Sequence, residues 1–209
     1  MKRDDFSHQL YHWIKTEISN INKDEAYESA FEILVKILSD GFIKGSSKFI
    51  TGGDRCVCFT ESPEYFMDDD KSDYQPFGIS FLKEDIFIFG GRPVIYQPYE
   101  ELKYLDESIW WKYVQYDPWC SVTTGKKIDF SWEREWRIKT DELAVIDSVA
   151  VIVPNQEYLC RLQYELDDLI ENSMYENYET YQWAAPSYPY TSYDEKFFKR
   201  INLVKKKGR

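Results

Sequence analysis

The chain has 209 residues, 43% of them hydrophobic and 30% charged, which fits one globular domain with a single core. No apolar run approaches the ~20 residues that a helix needs to span a bilayer. A net charge of −11 argues against a long nucleic-acid footprint, because phosphate contacts need clustered Lys and Arg.

The start, Met1-Lys2-Arg3-Asp4-Asp5, leads into mixed polar sequence without the apolar stretch of a secretory signal, so a cytoplasmic protein is expected. Of the four cysteines, Cys56 and Cys58 alternate along one segment and lack the two-residue gap of a zinc pair. Only His8 and His12 supply imidazoles. Reduced thiols and no structural metal follow as expectations.

Residues 25–38 repeat Ala26, Ala30, Ile33, Leu34, Ile37 and Leu38 at helical spacing, and Gly41 follows where a C-terminal cap belongs. Val57-Cys58-Phe59-Thr60 reads as a strand ended by Glu61-Ser62-Pro63, and Gly78-Ile79-Ser80-Phe81-Leu82 as a second. Gly90-Gly91-Arg92-Pro93 is a turn into a third, Val94-Ile95-Tyr96, and a helix is expected over 99–116. Ser148 to Val153 reads as a buried strand. Leu159, Leu162, Leu166, Leu169 and Ile170 mark another amphipathic helix.

Residues 175–193, rich in Tyr, Ser and Pro, are expected to loop over the surface, and Ile201-Asn202-Leu203-Val204 to return as an edge strand. The tail Lys205-Lys206-Lys207-Gly208-Arg209 reads as solvated. This order of elements predicts one α+β domain over 1–209 with mostly antiparallel pairing. No glycine fingerprint of a dinucleotide fold or P-loop is present.

Three stretches carry candidate chemistry. Phe130-Ser131-Trp132-Glu133-Arg134-Glu135-Trp136-Arg137-Ile138, read as a strand, places Glu133, Glu135, Arg137 and Lys139 on one face. Its two carboxylates then lie about 7 Å apart, close enough to divide labour at one substrate, and Arg137 and Lys139 are close enough simply to neutralise them. His12 sits between Tyr11 and Trp13. Thr60 and Ser62 end their strand with two hydroxyls, a pattern that also satisfies turn amides.

Together, Tyr11-His12-Trp13, Val57-Cys58-Phe59-Thr60-Glu61-Ser62-Pro63 and Glu133-Arg134-Glu135 resemble the motif order of the ADP-ribosyltransferase fold: His, then aromatic plus Ser/Thr, then Glu-x-Glu. With Gly41-Phe42-Ile43, Phe77-Gly78-Ile79-Ser80-Phe81 and Gly91-Arg92-Pro93-Val94-Ile95-Tyr96, the first two thirds of the chain is similar to the AbiGi-type abortive phage-resistance family.

The resemblance implies two small, mostly antiparallel sheets forming a central cleft with flanking helices, holding NAD as substrate. By position, His12 would meet the adenosine-side ribose and the main chain near Trp13 the nicotinamide amide. Phe59, Thr60 and Ser62 belong to the motif at the nicotinamide ribose, and Tyr96 would stack on a ring. Glu135 would be the catalytic residue and Glu133 would orient or deprotonate the acceptor. The middle motif departs from the family's Ser-Thr-Ser, and Trp13 is bulky where many transferases are small.

The activity implied is ADP-ribosyl transfer to a macromolecule, a protein rather than nucleic acid given the acidic chain, or NAD hydrolysis. The partner implied is a protein acceptor or a cognate toxin or antitoxin. The alternative is a catalytically inactive interaction protein on the same fold.

Overall fold

The computed structural model describes residues 7–16, 23–62, 74–119, 125, 127–181 and 202–205, with 169–181 and 202–205 as backbone. Strand β1 (Gln9–Lys15) buries Leu10 and Ile14 on one face and Tyr11 and Trp13 on the other. Helix α1 (Lys23–Asp40) follows, burying Ala26, Ala30, Phe31, Leu34 and Leu38. Phe31 completes that stripe, whereas Ile33, assigned to it by spacing, is 37% exposed. The helix stops at Gly41, whose φ of 78° suits a residue without a side chain and whose N–H reaches the Ile37 carbonyl at 3.0 Å.

After β2 (Phe42–Lys44) come β3 (Cys56–Thr60), β4 (Tyr74–Leu82) and the short helix α2 (Lys83–Ile88). Strands β5 (Arg92–Pro93) and β6 (Ile95–Gln97) lead into 3-10 turns at Tyr99–Tyr104 and Glu107–Lys112, then β7 (Tyr113–Gln115). The helix expected over 99–116 does not form. Leu105 is extended between the two turns, and the Asp106 carboxylate accepts the Ser108 N–H at 2.9 Å, so a local side-chain bond restarts the chain. Strand β7 then pairs in parallel with β6.

A third 3-10 turn, Ser131–Glu133, precedes β8 (Glu135–Lys139). Strands β9 (Glu142–Ala144) and β10 (Ser148–Val153), helix α3 (Gln156–Tyr181) and β11 (Asn202–Lys205) complete the order. Helix α3 runs on through Tyr181, so 175–181 is helical rather than the loop expected there, and 182–193 lies outside the described residues. Strand β11 takes the sheet edge foreseen for it.

Seven strands form one sheet in the order β11-β10-β4-β1-β3-β8-β5, antiparallel except for the β10/β11 pair. The expected mixed α+β, largely antiparallel architecture is present, but as one large sheet with two small two-stranded ones, not two matched small sheets. β1 and β3 are joined at a single position, Tyr11 opposite Thr60. Both long helices lie on one face, where Phe31, Leu34, Tyr158 and Leu162 meet Leu10, Val57, Phe59, Phe77, Phe81 and Val151. Each such side chain, fully buried, contributes about 1.5–3 kcal/mol. The opposite face therefore carries the polar residues of β3 and β8.

Candidate functional site

The segment FSWEREWRI is half turn and half strand. Arg134, after the Ser131–Glu133 turn, has φ 46°, a left-handed conformation costing about 1–3 kcal/mol in a residue with a side chain. Clamps from the end of β3 hold it. The Thr60 hydroxyl donates to the Glu133 carbonyl, the Ser62 hydroxyl to the Trp132 carbonyl, and the Glu61 N–H to the Arg134 carbonyl at 3.3 Å. Thr60 Oγ1 also accepts the Ser62 N–H at 3.1 Å. The two hydroxyls of Phe59-Thr60-Glu61-Ser62 thus fix the loop that presents the glutamates.

Because of that turn, Glu133 is not on the strand as alternation predicted. It is buried, its carboxylate accepting the Tyr74 hydroxyl hydrogen at 2.8 Å. Burial pushes its pKa upward, with Glu135 adding to the rise, while the Lys15 ammonium and the Tyr74 hydrogen bond pull the other way. Lys15 Nζ lies 4.0 Å from the centre of the Tyr74 ring.

Glu135 opens β8 opposite Thr60, so Tyr11, Thr60 and Glu135 form one row across three adjacent strands. Its N–H donates to the Tyr96 hydroxyl oxygen at 2.9 Å. Its carboxylate is gripped by Arg137, Nε to Oε1 at 2.7 Å and Nη2 to Oε2 at 3.2 Å. Arg137 is itself buried and donates through Nη1 to the carbonyls of Trp111 at 2.8 Å and Tyr113 at 3.1 Å. Burial works against the guanidinium's charge, but the Glu135 carboxylate outweighs it and raises the pKa. Burial first, and then the adjacent Glu135, push the thiol of Cys58, opposite Arg137, far up, which favours the protonated form over the thiolate.

His12 and Phe59 are not part of this cluster. Side chains alternate along β1, so His12 shares the helix-covered face with Leu10 and Ile14, its ring edge-on to Phe59 with centroids 6.1 Å apart. Phe59 in turn packs against Phe81. His12 Nδ1–H donates to the Cys58 carbonyl at 2.8 Å, where β1 and β3 part beyond Tyr11. Burial lowers its pKa, only partly offset by that carbonyl, which favours a neutral ring. A single hollow lined by His12, Thr60 and Glu135 is therefore corrected: the imidazole lies across the sheet from the other two.

Trp13 does lie on the Thr60 and Glu135 face, its ring stacked on Tyr11 at 5.5 Å. Among the described residues its buried indole N–H meets no hydrogen-bond partner. The described cluster thus comprises Trp13, Thr60, Glu133, Glu135 and Tyr96, with Arg137 as the neutralising partner that the spacing suggested, together with Tyr74 and Lys15, which the sequence did not point to. For Arg137 the signal was its place on the Glu135 face; for Tyr74 and Lys15, in different strands, no local pattern existed.

Among the described residues, no group of three His, Cys, Asp or Glu side chains is arranged to hold a metal, and no helix is long and apolar enough to cross a membrane. No protein-family model matches the chain, nor does any curated protein or solved structure.

Proposed function

We propose that this chain is an NAD-dependent ADP-ribosyltransferase-like protein of phage defence or a toxin system, with its site on the sheet face that bears Thr60 and Glu135. The observation that carries this reading is the row Tyr11, Thr60, Glu135 across β1, β3 and β8, beside a second carboxylate, Glu133. The motifs whose order resembles that of the transferases lie on or beside three neighbouring strands, which supports the reading although His12 faces the other side of the sheet.

In this proposal the bond between nicotinamide nitrogen and ribose C1′ breaks, and nicotinamide leaves with the electron pair. The ribose oxocarbenium ion that remains is stabilised by the negative charge of Glu135, whose carboxylate also accepts the ribose 2′-hydroxyl hydrogen. An oxygen or nitrogen of a protein acceptor, or water, then bonds to C1′ and gives its proton to Glu133. Burial suits Glu133 to that part, since a raised pKa brings a carboxylate nearer to neutral-pH acid–base work. Tyr96 supports Glu135 through its backbone, and no ribose contact is assigned to His12.

The grip of Arg137 on both Glu135 oxygens favours a second reading, a catalytically inactive antitoxin or regulatory partner on the same fold. Nicotinamide release from NAD separates the two. The enzyme reading expects wild-type release well above that of Glu135→Gln, with both proteins shown to be folded by thermal melting. Equal release favours the interaction protein. Transfer of label from NAD to a protein band rather than to free ADP-ribose identifies the acceptor.

A further inference from the structure

Arg137 is held from two sides. Its Nε and Nη2 engage Glu135 on its own strand, and its Nη1 engages the Trp111 and Tyr113 carbonyls of the 107–115 segment. Only 6% of its side chain and 12% of that of Glu135 are exposed. A planar guanidinium with both ends occupied cannot swing without breaking several charge-assisted hydrogen bonds, and a broken buried pair is costly. The carboxylate direction is therefore set by where residues 107–115 hold the guanidinium.

We propose that Arg137 is the positioning residue of this site, transmitting the placement of the 107–115 segment to the Glu135 carboxylate. This rests on the reading of Glu135 as the catalytic group. The arrangement also answers why a fully paired glutamate can serve. Each carboxylate oxygen has two lone-pair directions; Arg137 occupies one on each and the Cys58 thiol bonds the same carboxylate, which leaves one direction for a ribose hydroxyl to donate to. Around the pair stand the thiols of Cys56 and Cys58 from β3, the Tyr74 and Tyr96 hydroxyls, the Glu133 carboxyl and, opposite Arg137 in β5, Arg92. Arg92 is turned away: its Nη1 bonds the Phe87 and Gly91 carbonyls, and its guanidinium lies on the Phe87 ring. Among the described residues, Arg137 is thus the cation that faces Glu135 at contact distance.

The test uses the full chain with Arg137→Lys, Glu135→Gln and the double variant. A lysine keeps the charge but cannot form the two-pronged contact and reach both carbonyls. Amide hydrogen exchange within 107–115 should rise at least tenfold in Arg137→Lys, whether or not NAD is turned over. Nicotinamide release should fall roughly a hundredfold in kcat, the order expected of a small misplacement at a reacting centre, with KM changed less than threefold. The double variant should be no slower than Glu135→Gln alone, because Arg137 acts through Glu135.

Unchanged exchange in 107–115, or a double variant slower by the full product of the single effects, overturns the positioning role. Wild-type release equal to that of Glu135→Gln overturns the NAD reading instead, and the exchange result still decides whether Arg137 couples the two segments.

Discussion

The hydroxyl of Thr60 donates its hydrogen to the main-chain carbonyl of Glu133, 73 residues further along the chain, and accepts the Ser62 N–H with the same oxygen. One side chain thereby satisfies two buried backbone groups and sets the turn that turns Glu133 inward. Thr60→Val preserves shape and removes both bonds. A loss of about 1–3 kcal/mol is expected for the stranded groups, measured as the shift of the urea midpoint at unchanged slope. Ser62→Ala, which frees only the Trp132 carbonyl at this turn, should cost less.

Glu133 gives stability a pH dependence of definite sign. Its folded pKa lies above the ordinary 4.5, first because of burial, so the folded chain binds the proton more tightly than the unfolded one. The stabilisation is full below about pH 4.5 and is lost as pH rises through the folded pKa. Glu133→Gln should therefore flatten that part of the curve, read as the dependence of Tm on pH. A Glu133→Gln curve that falls there as steeply as that of the wild type would count against the burial argument.

Gly78 lies where β4 passes under the indole of Trp13. A Cβ at this position would come within 2.7 Å of Trp13 Cε3 and 3.0 Å of the His12 carbonyl oxygen. Gly78→Ala should therefore lower stability by about 1–3 kcal/mol through overpacking and displace the Trp13 ring. Thermal melting checks the first, and near-ultraviolet circular dichroism the second.

Helices α1 and α3 are tied by Glu28, which takes both Arg161 guanidinium prongs at 2.8 Å and the Tyr158 hydroxyl at 2.7 Å. Chiefly through the Arg161 hydrogen bond, the carboxyl pKa falls to about 2. A depressed carboxylate stabilises above its unfolded pKa, near 4.5, and the contribution fades as pH falls toward 2. The pair is 39% and 47% exposed, so solvent and salt screen it. Glu28→Gln should make the acid-unfolding curve shallower, with an effect that shrinks in 1 M salt.

Where hydrophobic period and burial coincide, the sequence was readable. Helix α1, β3, the second half of β4 and β10 all fall where their apolar residues placed them, with Phe31 in place of Ile33 on the buried stripe of α1. The site was legible as residue types in three motifs, not as geometry. Alternation carried FSWEREWRI through as a strand because it ignores main-chain handedness, and the left-handed Arg134 resets the phase. His12 fell on the other face by the same parity rule applied to β1, whose neighbours Leu10 and Ile14 pointed that way. The Tyr74 bond to Glu133 and the grip of the Trp111 and Tyr113 carbonyls on Arg137 arise only when distant strands meet.

The most direct measurement is a crystal structure of the chain soaked with a non-hydrolysable NAD analogue. The account predicts the nicotinamide ribose on the Thr60 and Glu135 face, its 2′-hydroxyl about 3 Å from the Glu135 carboxylate. A dinucleotide bound elsewhere, or no binding by a chain whose Glu135 face is open to solvent in the crystal, would contradict it.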